Sequence, residues 1–165
     1  MYFYFPEVSL TNSSIAIAQE SPLGADLRLL MERHTADMHA DTPPESIHMM
    51  DAAQLAVPEV SFFVMRDTGV PVGMGAFKLI EAGHAEIKSM HVLAEVRGRG
   101  LSKQMLTHLL DEARAAGLQR LSLETGIQPT FKAARALYAK AGFEECEPFI
   151  GYKPDPNSIF MTRHF

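Results

Sequence analysis

The chain has 165 residues, of which 47% are hydrophobic and 21% are charged, and its formal net charge is −5. This length and this apolar content are typical of one globular domain with a core of its own. The negative charge argues against nonspecific nucleic-acid binding, which needs a basic surface. The single cysteine, Cys146, excludes a disulfide within the chain.

The hydropathy pattern and the beginning of the chain favour a cytoplasmic protein that does not enter a membrane. No apolar run approaches the roughly 20 residues that a spanning helix requires. Residues 1–7 lack the basic region and the long apolar stretch of a secretory signal. The aromatic residues at positions 2–5 are interpreted as a short edge strand, and the alternative is an apolar patch covered by a partner.

The first half of the chain is dominated by strands. Its hydrophobic periodicity predicts, in chain order, a strand over residues 14–19, a helix over 23–38, a second short helix over 46–56, and strands over 61–66 and 72–80. The two adjacent strands form a hairpin around the turn Asp67-Thr68-Gly69.

The second half of the chain alternates between strands and helices. The pattern predicts a central strand over residues 85–92, a helix over 101–116, a strand over 120–124, a helix over 130–141, and closing strands over 143–147 and 159–164. The helix over 101–116 carries an apolar stripe at four-residue spacing, and Gly117 is expected to end it. A first half dominated by strands, followed by alternating strands and helices, indicates an α/β fold with a mixed sheet.

The run Arg97-Gly98-Arg99-Gly100-Leu101-Ser102 lies between the central strand and the following helix. Glycines permit a tight bend that brings backbone amides close to a ligand, and the helix N-terminus adds unpaired amides. The two arginines can form bidentate contacts with phosphate oxygens. The run therefore predicts a site for a phosphorylated cofactor, and the alternative is an ordinary turn with solvated arginines. No Gly-Lys-Ser/Thr follows, and the third glycine of a dinucleotide site is missing.

Two sequence elements occur in a recognisable order. Arg97-x-x-Gly100-x-Ser102 opens one helix, and Leu137-Tyr138-x-x-x-Gly142-Phe143 ends the next. Together they resemble the GNAT superfamily of acyl-CoA-dependent N-acyltransferases. The resemblance covers residues 60–165 and extends more loosely to Ser14. Ser102 stands where the family usually has glycine or alanine. Three further segments are similar to one bacterial branch of acetyltransferases, namely residues 86–92, 123–126 and 152–161.

The resemblance implies a fold, a cofactor and a set of site residues. It implies one N-acetyltransferase domain over residues 1–165, with 1–13 as an extra edge strand or arm, and a splayed central sheet flanked by helices. It implies acetyl-CoA as acyl donor and no metal. The residues expected to bind the cofactor are Met90, His91 and Val92 at the end of the central strand, Arg97, Gly98, Arg99, Gly100, Leu101 and Ser102 around the diphosphate, and Thr125 and Phe131.

The same resemblance implies that Tyr138 protonates the leaving sulfur, and a tyrosine hydroxyl is suited to this because it stays protonated at neutral pH. The alternative for Tyr138 is a packed tyrosine that only contacts the cofactor. Phe131 stands where many members carry an asparagine, so it is expected to form an apolar wall instead.

Two carboxylates remain open as the base. Glu86 is the first candidate, acting directly or through water, because strand alternation puts it on the same face as Met90. The alternative is an ion pair with Lys88, two residues on. Lys88 can instead meet a carboxylate of the acceptor, and Glu124 is the second candidate base.

The histidines do not predict a metal centre. His34 and His39 are five residues apart, which puts them on different faces of a helix rather than at ligand spacing.

The sequence leads to one main functional hypothesis and two alternatives. The main one is an N-acetyltransferase that transfers an acetyl group from acetyl-CoA to a primary amine of a small molecule or an amino-acid-like metabolite by direct attack. The alternatives are a protein or peptide amine acetyltransferase and a non-catalytic acyl-CoA-binding module. The expected partners are a small amine and, in one option, a second copy of the chain, with no nucleic acid and no membrane.

Overall fold

The structure of the protein is a computed structural model that describes residues 14–165. The edge strand or arm expected within residues 1–13 lies outside this range. The described strands are β1 (Ile15–Gln19), β2 (Val60–Asp67), β3 (Val70–Glu81), β4 (His84–Val92), β5 (Arg120–Gly126), β6 (Glu144–Cys146) and β7 (Ser158–His164). The described helices are α1 (Arg28–Asp41), α2 (Ala52–Leu55), α3 (Leu101–Ala115) and α4 (Lys132–Lys140).

The strands of residues 14–165 form one sheet in the order β1-β2-β3-β4-β5-β7-β6. Only β4 and β5 run parallel to each other, and the remaining neighbours are antiparallel. The mixed sheet expected from the sequence is therefore confirmed. Its single parallel pair lies at the centre, where α3 provides the crossover from β4 to β5.

Helices cover both faces of the sheet, which explains why β2 is apolar at consecutive positions. Phe63 and Met65 join a core with α3 and Tyr138 of α4, on the face that we call the α3 face. Phe62 and Val64 join a second core with α1, on the opposite α1 face. A strand buried on both sides needs no polar alternation.

Helix α3 is anchored along its length by the predicted stripe. The buried residues of its core-facing side are Leu101, Met105, Leu106, Leu109, Leu110 and Ala113. The helix ends as expected at Gly117, whose φ is 77° and whose amide donates to the Arg114 carbonyl. The stripe fixes where the helix N-terminus begins, and the glycine-rich run immediately precedes it.

The second helix is shorter in the structure than the sequence predicts. Over residues 46–56 the structure has the end of a 3₁₀ turn (Pro44–Ser46), an irregular segment and the single helical turn α2. The Asp51 carboxylate accepts the Gln54 amide, and the Gln54 side chain accepts the Asp51 amide. This capping box starts the helix at Ala52, so the apolar residues that precede Ala52 do not belong to it. Within residues 14–165, no helix has both the length and the apolar character needed to cross a bilayer.

Candidate active site

The sheet opens at its centre because β4 and β5 pair over only three residues. The paired residues run from His84 opposite Arg120 to Glu86 opposite Ser122, and the strands separate beyond them. The gap between the strands, which we call the notch, encloses a cavity of about 120 Å³. The notch is lined by Ser89 and Met90 of β4 and by Thr125 and Gly126 of β5, together with side chains from α1 and α4. The splay expected from the sequence is thus confirmed.

A β-bulge in β4 accompanies the opening. Lys88 lies opposite Ala76 and His91 opposite Met74, so two residues of β4 face one residue of β3. Ser89, the first of the two, has a φ of 56°, in the left-handed region. A bulge of this kind bends the strand and interrupts its alternation.

The bulge makes one sequence prediction wrong. Strict alternation puts Glu86 and Met90 on one face, but Met90 packs against the core on the α3 face. Glu86 instead contacts Lys88 and Tyr152 on the α1 face. The two residues still line the same notch, from opposite faces of the sheet.

The structure brings together some of the predicted site residues and separates others. Those that line the notch are Glu86, Met90, Thr125, Phe131 and Tyr138. His91 and Val92 do not line it. Val92 is buried, and its carbonyl accepts the Arg97 Nε donor at 3.1 Å. His91 is buried against α1, where its Nδ1 lies 3.8 Å from the Asp37 carboxylate.

The glycine-rich run has an open backbone. Gly98 and Gly100 have φ of 83° and 73°, and a Cβ placed on either would have no neighbouring atom within 4 Å. Within residues 14–165, the amides of Gly98, Gly100 and residues 101–103 donate to no protein acceptor. Unpaired amides in a turn and at a helix N-terminus are what an anion site needs.

Both arginines of the run contact carboxylates at the surface. Arg97 Nη2 lies 3.0 Å from the Asp37 carboxylate, and Arg99 Nη1 lies 3.0 Å from the Asp67 carboxylate. These side chains remain partly exposed, so the ion pairs are weak in water. A diphosphate with several negative charges can compete for such arginines.

Tyr138 lines the notch from the α3 face. Its ring packs edge-on against Phe143, with ring centres 5.8 Å apart. Its hydroxyl makes no hydrogen bond within residues 14–165, and burial raises its pKa to about 12. The hydroxyl is therefore neutral at physiological pH and able to donate to a ligand in the notch.

On the α1 face, Glu86 belongs to a buried charged cluster with Lys88 and Tyr152. The Lys88 ammonium lies 3.2 Å from Glu86 Oε1, 3.0 Å from the Tyr152 hydroxyl and 3.0 Å from the His48 carbonyl. The Tyr152 hydroxyl also donates to Glu86. The ion pair that the sequence offered as an alternative is therefore present. All three N–H donors of the ammonium group are used, so none remains for a carboxylate of the acceptor substrate.

The sequence predicts no role for Tyr152, the first residue of the segment 152–161. The structure shows that burial and the adjacent Glu86 raise its pKa. It lies 66 residues from Glu86, and no spacing rule connects residues so far apart.

Glu124 is the other carboxylate of the notch. Burial raises its pKa above the usual carboxyl range, and the Ser158 hydroxyl donates to Glu124 Oε1 at 2.7 Å. Within residues 14–165 it has one neutral partner and no direct ion pair, whereas Glu86 is paired with Lys88. Over residues 14–165, no group of three or more His, Cys, Asp or Glu side chains is arranged to hold a metal ion.

Comparison with known proteins decides the family. The model of the acetyltransferase (GNAT) family matches residues 27–143. The chain belongs to this family. The uncharacterised N-acetyltransferase YsnE of Bacillus subtilis is 42% identical over 140 residues, covering 85% of this chain and 93% of that protein. The IAA acetyltransferase of Azospirillum brasilense is 42% identical over 155 residues, covering 91% and 97%.

Solved structures agree with this GNAT assignment. A Klebsiella pneumoniae structure, provisionally described as an acyl-CoA N-acyltransferase, has a TM-score of 0.74 and 30% identity, covering 91% of this chain and 97% of that chain. The Salmonella typhimurium protein yncA, solved with its cofactor acetyl-CoA, shares the fold with a TM-score of 0.67 and 21% identity, covering 92% and 94%. This GNAT enzyme is therefore an N-acyltransferase.

Replacing Lys88 by methionine in this acetyltransferase should lower the free energy of unfolding by about 3–5 kcal/mol, because it leaves the Glu86 carboxylate buried without its cation. Both side chains are nearly inaccessible, at 11% and 7% exposure. Urea unfolding monitored by circular dichroism measures the loss. The matched control is Arg33→Met, which breaks the exposed pair with Glu95 and should cost far less. Equal losses in both variants would contradict the buried ion pair.

Proposed function

We propose that this acetyltransferase transfers an acetyl group from acetyl-CoA to the primary amine of a small molecule, by direct attack of the amine on the thioester. The observation that carries the proposal is the notch, which is lined by side chains from both faces of the sheet. A neutral tyrosine hydroxyl lines it from one face and carboxylates from the other. The Salmonella relative that contains acetyl-CoA supports the choice of donor.

The donor approaches from the α3 face in this proposal. The amides of residues 98–103 and the side chains of Arg97 and Arg99 hold the diphosphate. The edge of β4 beyond Glu86, which β5 leaves unpaired, offers backbone groups to the pantetheine arm and the thioester oxygen. Met90, Thr125 and Phe131 line that path, whereas His91 and Val92 take part only through their backbone.

The proposed reaction requires one proton transfer on each face of the notch. The amine nitrogen attacks the thioester carbon, and the C–S bond breaks as the amide forms. The leaving thiolate takes a proton from the Tyr138 hydroxyl, and the proton released by the amine nitrogen goes to a carboxylate on the α1 face. Tyr138 and the carboxylates line opposite faces of the notch, so acid and base do not compete for one position.

We assign the base role to Glu124 in preference to Glu86. The Glu86 carboxylate already accepts hydrogen bonds from Lys88 and Tyr152. Within residues 14–165 Glu124 accepts a hydrogen bond from the Ser158 hydroxyl only, and burial raises its pKa. A carboxylate with a raised pKa is the better proton acceptor, since Brønsted behaviour favours a catalytic pKa near the working pH.

A small acceptor is favoured because two segments meet over the α1 face. The Asn157 side chain donates to the Ser46 hydroxyl at 3.3 Å, and the His48 ring packs on the Tyr152 ring with centres 5.1 Å apart. A protein substrate would need an open groove to present a lysine to the notch. In this proposal the contacts between residues 46–48 and 152–157 narrow that approach.

Replacing Gly100 by glutamate should weaken acetyl-CoA binding at least a hundredfold, because it adds a negative charge and a side chain where the diphosphate is proposed to bind. Isothermal titration calorimetry measures the affinity. Gly117→Glu is the matched control, since Gly117 also has a positive φ and open space, at the other end of α3. The proposal fails if both variants bind acetyl-CoA equally well.

Replacing Tyr138 by phenylalanine should lower kcat by about 100-fold, in the range of general acid catalysis, while acetyl-CoA affinity changes little. Within residues 14–165 the hydroxyl has no hydrogen bond to lose, so the fold should be unaffected. Thiol release from acetyl-CoA with a panel of primary amines measures kcat. This panel also tests the function itself. Tight acetyl-CoA binding without turnover would favour a non-catalytic module, and turnover with peptide amines alone would favour a protein acetyltransferase.

Replacing Glu124 by glutamine should flatten the acidic limb of the pH profile of kcat/KM. The base must be unprotonated, so activity falls as the pH drops through its pKa, and the raised pKa moves this limb above that of an ordinary carboxyl group. An alkylamine with a pKa near 10.4 adds its own limb at higher pH, which keeps the two apart. Glu86→Gln is the control and should retain the limb. Loss of the limb in Glu86→Gln alone would return the base role to Glu86.

A further inference from the structure

A second, larger cavity lies beside the notch, between α1 and residues 49–52. It is a solvent-open pocket of about 500 Å³, and we call it the methionine cavity because Met31, Met49 and Met50 line it. Ala36 and Ala52 also line it, and most of its wall is apolar. His34 and Met49 line both this cavity and the notch, so the two spaces adjoin.

We infer that the methionine cavity binds the apolar group of the acceptor, and that the enzyme therefore prefers hydrophobic primary amines that carry no carboxylate. This inference rests on the proposed function and names the class of amine that the same site takes.

The size and the lining of the cavity favour an apolar group. Its volume is within the range of sites that hold small organic molecules. Methionine side chains are flexible and polarizable, and they make favourable contacts with aromatic rings. An amine whose apolar group fills this space would place its nitrogen towards His34 and the notch.

The charges around both cavities argue against a carboxylate on the acceptor. Among residues 14–165, no lysine or arginine lines the methionine cavity, whereas Glu32 and Asp51 do. In the same part of the chain the single lysine of the notch is Lys88, whose three donors are already used. A carboxylate brought into this region would be partly desolvated without a cation, which is costly. A positively charged amine has the Glu32 and Asp51 carboxylates nearby to offset its own desolvation.

His34 lies at the junction and adds no positive charge. Burial and the neighbouring His91, whose ring centre is 5.5 Å away, lower the pKa of His34 to about 4. Within residues 14–165 its ring nitrogens make no hydrogen bond with the protein. A neutral imidazole in this position can accept a hydrogen bond from the acceptor nitrogen as it enters the notch.

The first test compares three acceptors with the full-length enzyme and acetyl-CoA, by thiol release. The acceptors are 2-phenylethylamine, L-phenylalanine, which adds a carboxylate, and ethylamine, which lacks the ring. We expect kcat/KM for 2-phenylethylamine to exceed the other two by about tenfold or more, since even one methylene in an apolar pocket gives about 10- to 200-fold.

The second test fills the methionine cavity. Ala36→Phe adds an aromatic ring to the cavity wall from an exposed position of α1. It should reduce the ratio of kcat/KM for 2-phenylethylamine to that for ethylamine by about tenfold, mainly through KM. Ala40→Phe is the matched control, one helical turn further on and outside both cavities, and should keep the ratio.

The possible results distinguish a failure of this inference from a failure of the proposed function on which it rests. Turnover with L-phenylalanine or ethylamine preferred over 2-phenylethylamine, or an unchanged ratio in Ala36→Phe, would overturn the inference and leave the acetyltransferase proposal in place. No turnover with any of the three amines or with the wider amine panel, despite acetyl-CoA binding, would overturn both. The acceptor comparison uses the unaltered protein, so it decides the matter even if a variant fails to fold.

Discussion

The early end of the pairing between β4 and β5 is the constraint on which the rest of the site depends. Backbone groups along a central strand normally bond to both neighbours, and an unpaired buried group is costly. Beyond Glu86, β4 has no partner on its β5 side. The bulge at Ser89 bends the strand at the same place. The notch therefore combines unpaired backbone groups with side chains from both faces, which a continuous sheet could not offer.

The two faces of the notch are held in different ways. On the α3 face, an apolar core positions α3 and with it the glycine-rich run, so the open amides are fixed by packing. On the α1 face, hydrogen bonds and charges hold the side chains, with Lys88 bonded to three partners. Apolar packing tolerates little change in shape, whereas a polar cluster depends on every partner being present. The donor side and the acceptor side are thus sensitive to different substitutions.

Local features of the site could be predicted from the sequence, and long-range ones could not. The bend around Gly98 and Gly100, the stripe of α3 and the end at Gly117 depend on neighbouring residues, and the structure has all three. The bulge in β4 depends on its register with β3, so alternation misplaced Met90 relative to Glu86. The contact of Tyr152 with Glu86 joins distant parts of the chain and leaves no periodic signal.

The same difference between local and long-range contacts explains why the sequence indicates the acyl donor more clearly than the acceptor. The proposed diphosphate site consists of backbone amides and two arginines within one short run, so its pattern is visible in the sequence. The proposed acceptor side is built from residues 31–36, 46–52 and 152–158, which meet only in the folded chain. Substitutions in these segments can change the shape and charge beside the notch without touching the glycine-rich run or α3. Acceptor choice can therefore vary while the donor site stays the same, and only the folded structure indicates which amine fits.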